Sequence, residues 1–552
     1  MQYPKYFLTG IILFLFLFCT YSICAVGFLC GLKLSIWHAP VSFLLSVIIA
    51  GAMFRKSSLK SVVDSGACAL LLITLFISLT SLVDDCSFDG NWYHQEIVAL
   101  LMAGWNPFDL SYPLPETTLW TPHYTKGLET ICAASALSTN HIESGKGMNL
   151  VFIMSAALII YFCLKKYGQK MWPQKKRNRY ALLLTLMAIS NIVVVTQSIV
   201  FYTDYPLYLL LLLTIAFSYL LYSQPDSKAF SMMLGATVVL AITIKFNIFF
   251  FEGLWILLIL TWCLCRKKYA LSRKIFIASA AGLIAGLALS YHPYVTNIIV
   301  AGHPLYPLMG EGAEDIMTHN TPEIYWGHNR IVNFFISYFN PHTGIGCDMR
   351  IGGFGIFMPV LLIMSVAALI IWHRKIPALT YWVFFAIIAS CFIFEQSWWS
   401  RYIAQLWLAP CVVAGSLSMI PRKTTTKFIW QAMAAMGILT GIMAMGFTVV
   451  TSGLCTISHN RFYTAVSGRS VRVYNMTAQM QRLLMEHNIK WTETDKIERD
   501  KIYYNWLYNQ WPNFPMIEIS EEEAEKISCE IPPITNLKRY KDYFHKKIYK
   551  EP

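Results

Sequence analysis

Long apolar runs separated by short polar connections set the pattern of this chain. The runs fall at 7–30, 40–54, 65–83, 147–164, 180–200, 205–222, 229–246, 248–265, 275–291, 354–372, 378–394, 402–420 and 428–451. Most approach the roughly 20 apolar residues that carry a helix across a bilayer. In hydrocarbon every backbone group must pair within the protein, which favours helices over open strands. The pattern therefore predicts an all-α polytopic membrane protein with about 13 transmembrane helices. The first run, Phe7 to Cys30, is long for the apolar core of a signal peptide and leads into further spans, so it reads as the first helix.

Lysine and arginine give these helices a direction. Arg55/Lys56/Lys60, Lys165 through Arg179, Arg266 through Lys274, Arg374/Lys375 and Arg422/Lys423/Lys427 fall at alternate connections. Placing all five in the cytoplasm gives one consistent weave with the N-terminus inside. The chain then reads as a multi-pass protein of the cell (inner or cytoplasmic) membrane. It divides into a transmembrane module over 1–451, with outer loops at 84–146 and 292–353, and an extracytoplasmic domain over 452–552. A tail of that length suffices for a small soluble α or α/β domain. It mixes polar helix-like stretches with an acidic run, Glu521–Glu525, and a basic end, Lys538 to Lys550. Its aromatic residues Tyr503, Tyr504, Trp506, Tyr508 and Trp511 suit either its own core or an acceptor glycan. No internal repeat or low-complexity segment interrupts the chain.

Composition sharpens this picture. Apolar residues make up 56% and charged residues 14% of the chain, against about 25% charged in soluble domains. A net charge of +13 would suggest nucleic acid in a soluble protein, but here the basic residues are topology signals. Membrane lipids are the expected surroundings and nucleic acid is not an expected partner. The 14 cysteines include no CxxC pair, so neither zinc nor redox chemistry is indicated. Cys86, Cys132, Cys347, Cys455 and Cys529 fall outside the bilayer and can pair, with no readable connectivity. Of the 13 histidines, His94, His123, His141, His292, His303, His319, His328 and His342 lie in the two large loops, beside acids.

The densest chemistry is Asp84-Asp85-Cys-Ser-Phe-Asp89-Gly-Asn-Trp-Tyr93-His94-Gln-Glu96. Adjacent carboxylates at the edge of a low-dielectric region raise one another's pKa unless a cation compensates. Such a pair suits a general base acting on a hydroxyl, or a metal ligand. A helix stop and N-cap is the competing structural reading. Asp204, between Tyr202 and Tyr205, is either a second acid or a turn residue before Pro206. Lys245 departs from the positive-inside pattern, and Arg401 follows Trp398 and Trp399; both are ionisable positions open to function, or else a snorkelling lysine and an interfacial anchor. The second loop adds His303, Glu311, Glu314, Asp315, Arg330 and Arg350. Histidine and carboxylate suffice for a divalent cation such as Mg or Mn. No HxxxH or HxH pair supports one, so metal use stays open.

These motifs in their order resemble bacterial membrane glycosyltransferases of the GT-C superfamily. The resemblance rests on the acidic first loop, the D-x-x-x-Y-H stretch, Gly104-Trp-Asn-Pro107 and Trp120-Thr-Pro-His123-Tyr-Thr-Lys126-Gly127. It continues through Glu143-Ser-Gly-Lys146-Gly-Met-Asn149, Tyr202-Thr-Asp204-Tyr205, Gly302-His303-Pro-Leu-Tyr-Pro307 and Ser397-Trp-Trp-Ser-Arg401-Tyr402. It covers roughly residues 65–420 and leaves out the tail. It implies a GT-C-like fold and transfer of a sugar, with inversion, from a polyprenyl-phosphate donor to a glycan or glycolipid acceptor on the outer face, in cell-surface polysaccharide assembly. By that resemblance the catalytic base is Asp84, Asp85 or Asp89, with Tyr93, His94, Glu96, His123, Lys126, Asp204, Lys245, His303 and Arg401 in substrate binding. One departure is that the acidic motif follows the third span, where many members place it after the first. Within this reading Arg401 and Lys245 are the cations for the donor's phosphate. The alternatives are a flippase or transporter for a lipid-linked saccharide, which expects charges at mid-membrane, and a polysaccharide polymerase or ligase using Arg330 and Arg350.

Overall fold

The computed structural model describes residues 3–114, 119–315, 320–339, 346–348, 350, 353–420, 424–498, 501–505 and 515–528. His319, His342, Trp506, Tyr508, Trp511, Cys529 and the basic end lie outside them. Among the described residues, seven helices are long and apolar enough to cross a membrane: Lys5–Leu29, Leu59–Thr80, Ile142–Tyr167, Pro206–Ser223, Phe246–Cys265, Tyr269–Leu289 and Thr424–Ala465. Five shorter apolar helices accompany them, His38–Met53, Lys228–Ile244, Met358–Ile371, Ala378–Ser390 and Ala404–Ser418.

The helix Lys5–Leu29 is apolar on every side and mostly buried, as a central helix must be. It packs against His38–Met53, Leu59–Thr80 and Gly147–Tyr167. Leu59–Thr80 instead exposes Val63 and Leu71, a face suited to lipid. Lipid tails are as apolar as these side chains, so close backbone approach and interhelical hydrogen bonds must hold such helices together. Ser155 Oγ accordingly donates to the Gly10 carbonyl at 2.9 Å.

The same economy fixes the first loop. Gly127 opens the helix Gly127–Thr139, and a Cβ there would lie 2.6 Å from the Thr243 carbonyl oxygen. Thr125 Oγ1 donates to the neighbouring Ile244 carbonyl at 2.8 Å. Because backbone cannot swing aside, Gly127→Ala is expected to cost about 1–3 kcal/mol by overpacking. A thermal melt in detergent checks this, with Gly415→Ala, which has open space around it, expected within about 0.5 kcal/mol of wild type.

Two boundaries differ from the sequence pattern. The run 180–200 is not one helix: Gln174–Ile189 ends, and Asn191 caps a separate turn, Ile192–Thr196, by accepting from Val193 N. The last long helix runs on to Ala465, well past residue 451, because its inner face finds partners in the first loop, His459 with Asp84 and Cys455 with the Asp85 carbonyl.

Beyond it, β1 (Ser470–Tyr474), β2 (Lys490–Thr494), β3 (Ile502–Asn505) and β4 (Met516–Ile519) form a sheet in the order β2-β1-β4-β3. Only the β1–β2 pair is parallel, joined through the helix Ala478–Glu486. The described part of the tail thus combines strands with helices. Tyr504 stacks on Phe462 with ring centroids 4.6 Å apart, so this aromatic fills the core. Cys86, Cys132, Cys347 and Cys455 are all free.

Candidate active site

After Leu59–Thr80 the chain turns through 81–89 and enters a π-helical turn, Gly90–His94, followed by the helix Gln95–Met102. Gly90 is required there, since a Cβ would run into the Asp85 carboxylate and Ser87 Oγ. Asp85 is buried and both its oxygens are taken. Ser87 N and Oγ donate to Oδ1 at 2.7 and 2.6 Å, and Phe201 N donates to Oδ2 at 2.6 Å. Burial raises its pKa against the pull of Lys146 and these donors. Asp84 turns the other way, to His459 Nδ1 at 2.7 Å on the long last helix. Burial opposes its ionisation, but His459 and Lys146 outweigh that and hold its carboxyl below the usual range. The adjacent acids therefore do not work as a pair; each closes a different contact.

Asp89 faces the centre of the site. Its Oδ2 accepts from Arg401 at 2.5 Å, and its side chain remains 11% exposed. Arg401 also lies 3.5 Å from Asp204 and 3.3 Å from Asp348, and its guanidinium sits 4.3 Å from the Trp399 ring centre. Tyr202 and Tyr402 flank it at 5.3 and 5.4 Å. Lys245 pairs with Asp204 at 2.5 Å from an extended residue between Lys228–Ile244 and Phe246–Cys265. Burial would raise the Asp204 pKa, yet Lys245 and Arg401 bring it below the usual range. Beside this cluster, His94 Nδ1 meets Glu129 Oε1 at 2.6 Å, both buried.

A second polar group sits on the far side of Tyr124, a ring that feels the charges of Asp89, Arg401 and Asp204. Lys126 Nζ donates to the Tyr124 carbonyl at 2.6 Å and lies 2.8 Å from His292 Nε2. His292 Nδ1 meets Thr296 Oγ1 at 2.9 Å, and Lys126 lies over Trp105 at 5.3 Å. Lys126 is buried and, among the described residues, has no carboxylate at ion-pair distance. Burial pulls its pKa down to about 7, partly opposed by Glu129.

Comparison with known proteins adds little that is specific. The family model of a domain of unknown function, DUF8201, matches residues 130–316. No curated protein matches. A crystal structure of ArnT from Cupriavidus metallidurans bound to undecaprenyl phosphate is similar at 12% identity and a TM-score of 0.44, covering 78% of this chain and 85% of that one.

Against the residues singled out in the sequence, the structure gathers Asp89, Tyr93, His94, Asp204, Lys245 and Arg401 in one place. Lys126 and His123 form the adjoining group, with His123 Nδ1 2.8 Å from Asn297 Oδ1. Glu96 is elsewhere: its carboxylate accepts from the Ala478 and Gln479 amides at 3.0 and 2.7 Å, where it caps a helix. His303 accepts from Leu305 N at 3.1 Å within its own loop. Arg401 and Lys245 are both paired with carboxylates, whereas Lys126 has none at ion-pair distance among the described residues. The same pairing bears on a resident divalent cation. The converging acids close on Arg401 and Lys245, and no group of three or more ligating side chains among the described residues suits a metal.

Sequence reasoning missed Glu129, Asp348 and His459. Glu129 stands three residues after Lys126, just past the Trp120–Gly127 motif, and that spacing was an available signal. Asp348 and His459 come from other parts of the chain, and no local pattern marks them.

Proposed function

We propose that this chain is a GT-C-type membrane glycosyltransferase that uses Asp89 to activate an acceptor hydroxyl and Lys126 to receive the phosphate of a polyprenyl-phosphate sugar. The observation that carries this reading is Lys126, a buried lysine with no carboxylate partner among the described residues, beside a buried acid cluster. A buried charge without a counter-ion is costly, and an anionic substrate group would relieve that cost. Asp89 removes the hydroxyl proton, and the oxygen attacks the anomeric carbon from the face opposite the phosphate. The bond from that carbon to the phosphate oxygen breaks, the configuration inverts, and polyprenyl phosphate leaves with the electron pair. The motif order described above supports the same class. In this reading the five shorter apolar helices and Gln174–Ile189 complete thirteen crossings, and the acid cluster and the tail lie on the extracytoplasmic side.

The test is transfer from a panel of radiolabelled polyprenyl-phosphate sugars by the purified, reconstituted chain. Acceptor-dependent release of polyprenyl phosphate is expected. Donor movement between leaflets without turnover would overturn the reading in favour of a flippase.

Lys126 adds a pH signature. Its charge is full below about pH 7 and lost above it, so affinity for polyprenyl phosphate should fall as pH rises through that value. Lys126→Met should weaken donor binding by roughly 10- to 100-fold, about 1.4–2.8 kcal/mol, and flatten the pH dependence. Titration of intrinsic tryptophan fluorescence at about pH 6 and about pH 8.5 measures both.

A further inference from the structure

The residue before the π-helical turn is Asp89, and the turn itself is gripped from outside the membrane module. Gln479, in the first turn of Ala478–Glu486, donates from Nε2 to Asn91 Oδ1 at 2.8 Å and to Gln95 Oε1 at 2.5 Å. Asn91 lies within the turn and Gln95 directly follows it. Asn91 Nδ2 carries the link inward, donating to the Asp85 and Ser87 carbonyls at 2.8 and 2.9 Å. Gln95 Nε2 carries it sideways, donating to Glu143 Oε1 at 2.6 Å. The amides of Ala478 and Gln479 meanwhile close on Glu96. Gln479, Asn91, Gln95 and Glu96 are all at most 3% exposed.

A π-turn is rarely stable by itself and is common at functional sites. Removing one member of a buried polar network leaves the others unsatisfied. The turn that presents Asp89 thus takes its shape from a residue nearly 390 positions away in the sequence.

We infer that Gln479 is a positioning residue: the folded tail latches the Gly90–His94 turn and so sets where Asp89 meets the substrate. The tail is then a working part of the site. The functional half of this statement rests on the glycosyltransferase reading, whereas the latch itself does not.

Full-length Gln479→Met, which keeps the side-chain volume and removes both donated bonds, tests it. Arg472→Ala, at a largely exposed ion pair with Glu498, serves as control. By hydrogen exchange, the amides of 86–96 in Gln479→Met should exchange at least about tenfold faster, while those of 470–474 keep their protection. Turnover should fall by about tenfold with the donor KM within about twofold, and the control should match wild type. The double variant Asn91→Ala/Gln479→Met should lose no more turnover than the worse single variant. Unchanged exchange over 86–96 would sink the latch whatever the reaction proves to be. Faster exchange with wild-type turnover would overturn the positioning role. An Asp89→Asn protein with wild-type turnover would instead indict the base assignment, leaving the exchange result to decide the latch.

Discussion

Asp89→Asn is expected to lower sugar transfer by roughly 10²- to 10⁴-fold, the usual contribution of a positioned general base. Fold and donor affinity should be retained. Asparagine keeps an oxygen to accept the Arg401 contact that Asp89 now makes at 2.5 Å, so the cluster can close around it. The ability to take a proton is lost together with one negative charge, and Asp204 and Asp348 stay within reach of Arg401. The neighbouring acids give the contrast. Asp85 accepts three hydrogen bonds from donors on both sides of its carboxylate. An amide there must point its NH₂ at another donor, costing about 1–3 kcal/mol, so Asp85→Asn should lower the melting temperature along with any loss of rate. Asp84→Asn disturbs the His459 contact and removes a charge near Lys146, and should act mainly through stability. Single-turnover transfer and thermal unfolding, measured on all three proteins, separate these outcomes. Full turnover by Asp89→Asn beside a well-folded but inactive Asp84→Asn would move the base to Asp84.

The largest loss of stability should follow Arg401→Met. Arg401 lies within reach of Asp89, Asp204 and Asp348, and it stacks on Trp399. Removing one partner of a buried ion pair costs on the order of 3–5 kcal/mol, because the remaining charge stays in a low dielectric. Arg401→Lys should recover part of that loss, since an ammonium restores the charge without the planar fork. The pH dependence fixes the cause. In the wild type, Asp204 has its carboxyl held below the usual range despite burial. Its contribution is therefore present above the unfolded value of about 3.9 and lost only as pH falls through the lower folded value. Without Arg401, burial is opposed chiefly by Lys245 and the carboxyl moves up. The stability deficit of Arg401→Met should then be smaller near pH 5 than near pH 8. A deficit that does not change with pH would assign the effect to lost packing on Trp399 instead. Chemical or thermal unfolding in detergent across that range gives the answer.

These experiments bear on residues whose roles were unequally legible. Apolar run length is a property of consecutive residues, so helices such as Lys5–Leu29 and Leu59–Thr80 could be read directly. The density of Asp85, Asp89 and His94 within one loop likewise pointed to a segment that the structure buries at the charge cluster, because neighbours in sequence must be neighbours in space. Their division of labour could not be read. Asp84, Asp85 and Asp89 are the same side chain, and they differ only in what the rest of the chain brings to them: His459, the Phe201 amide and Arg401.

The cations show the same limit. Lys245 and Arg401 looked free for phosphate because their acids, Asp204, Asp89 and Asp348, lie 41 or more residues away or in another loop. Lys126 stood in plain view of Glu129, yet Glu129 turned to His94. The sequence by itself determined the membrane character and most of the helix positions, since hydropathy is local. Which acid stays available, which cation stays unpaired and what the tail touches were decided only by tertiary structure. Charge pairing in a low dielectric depends on distance through space, and no local pattern encodes that.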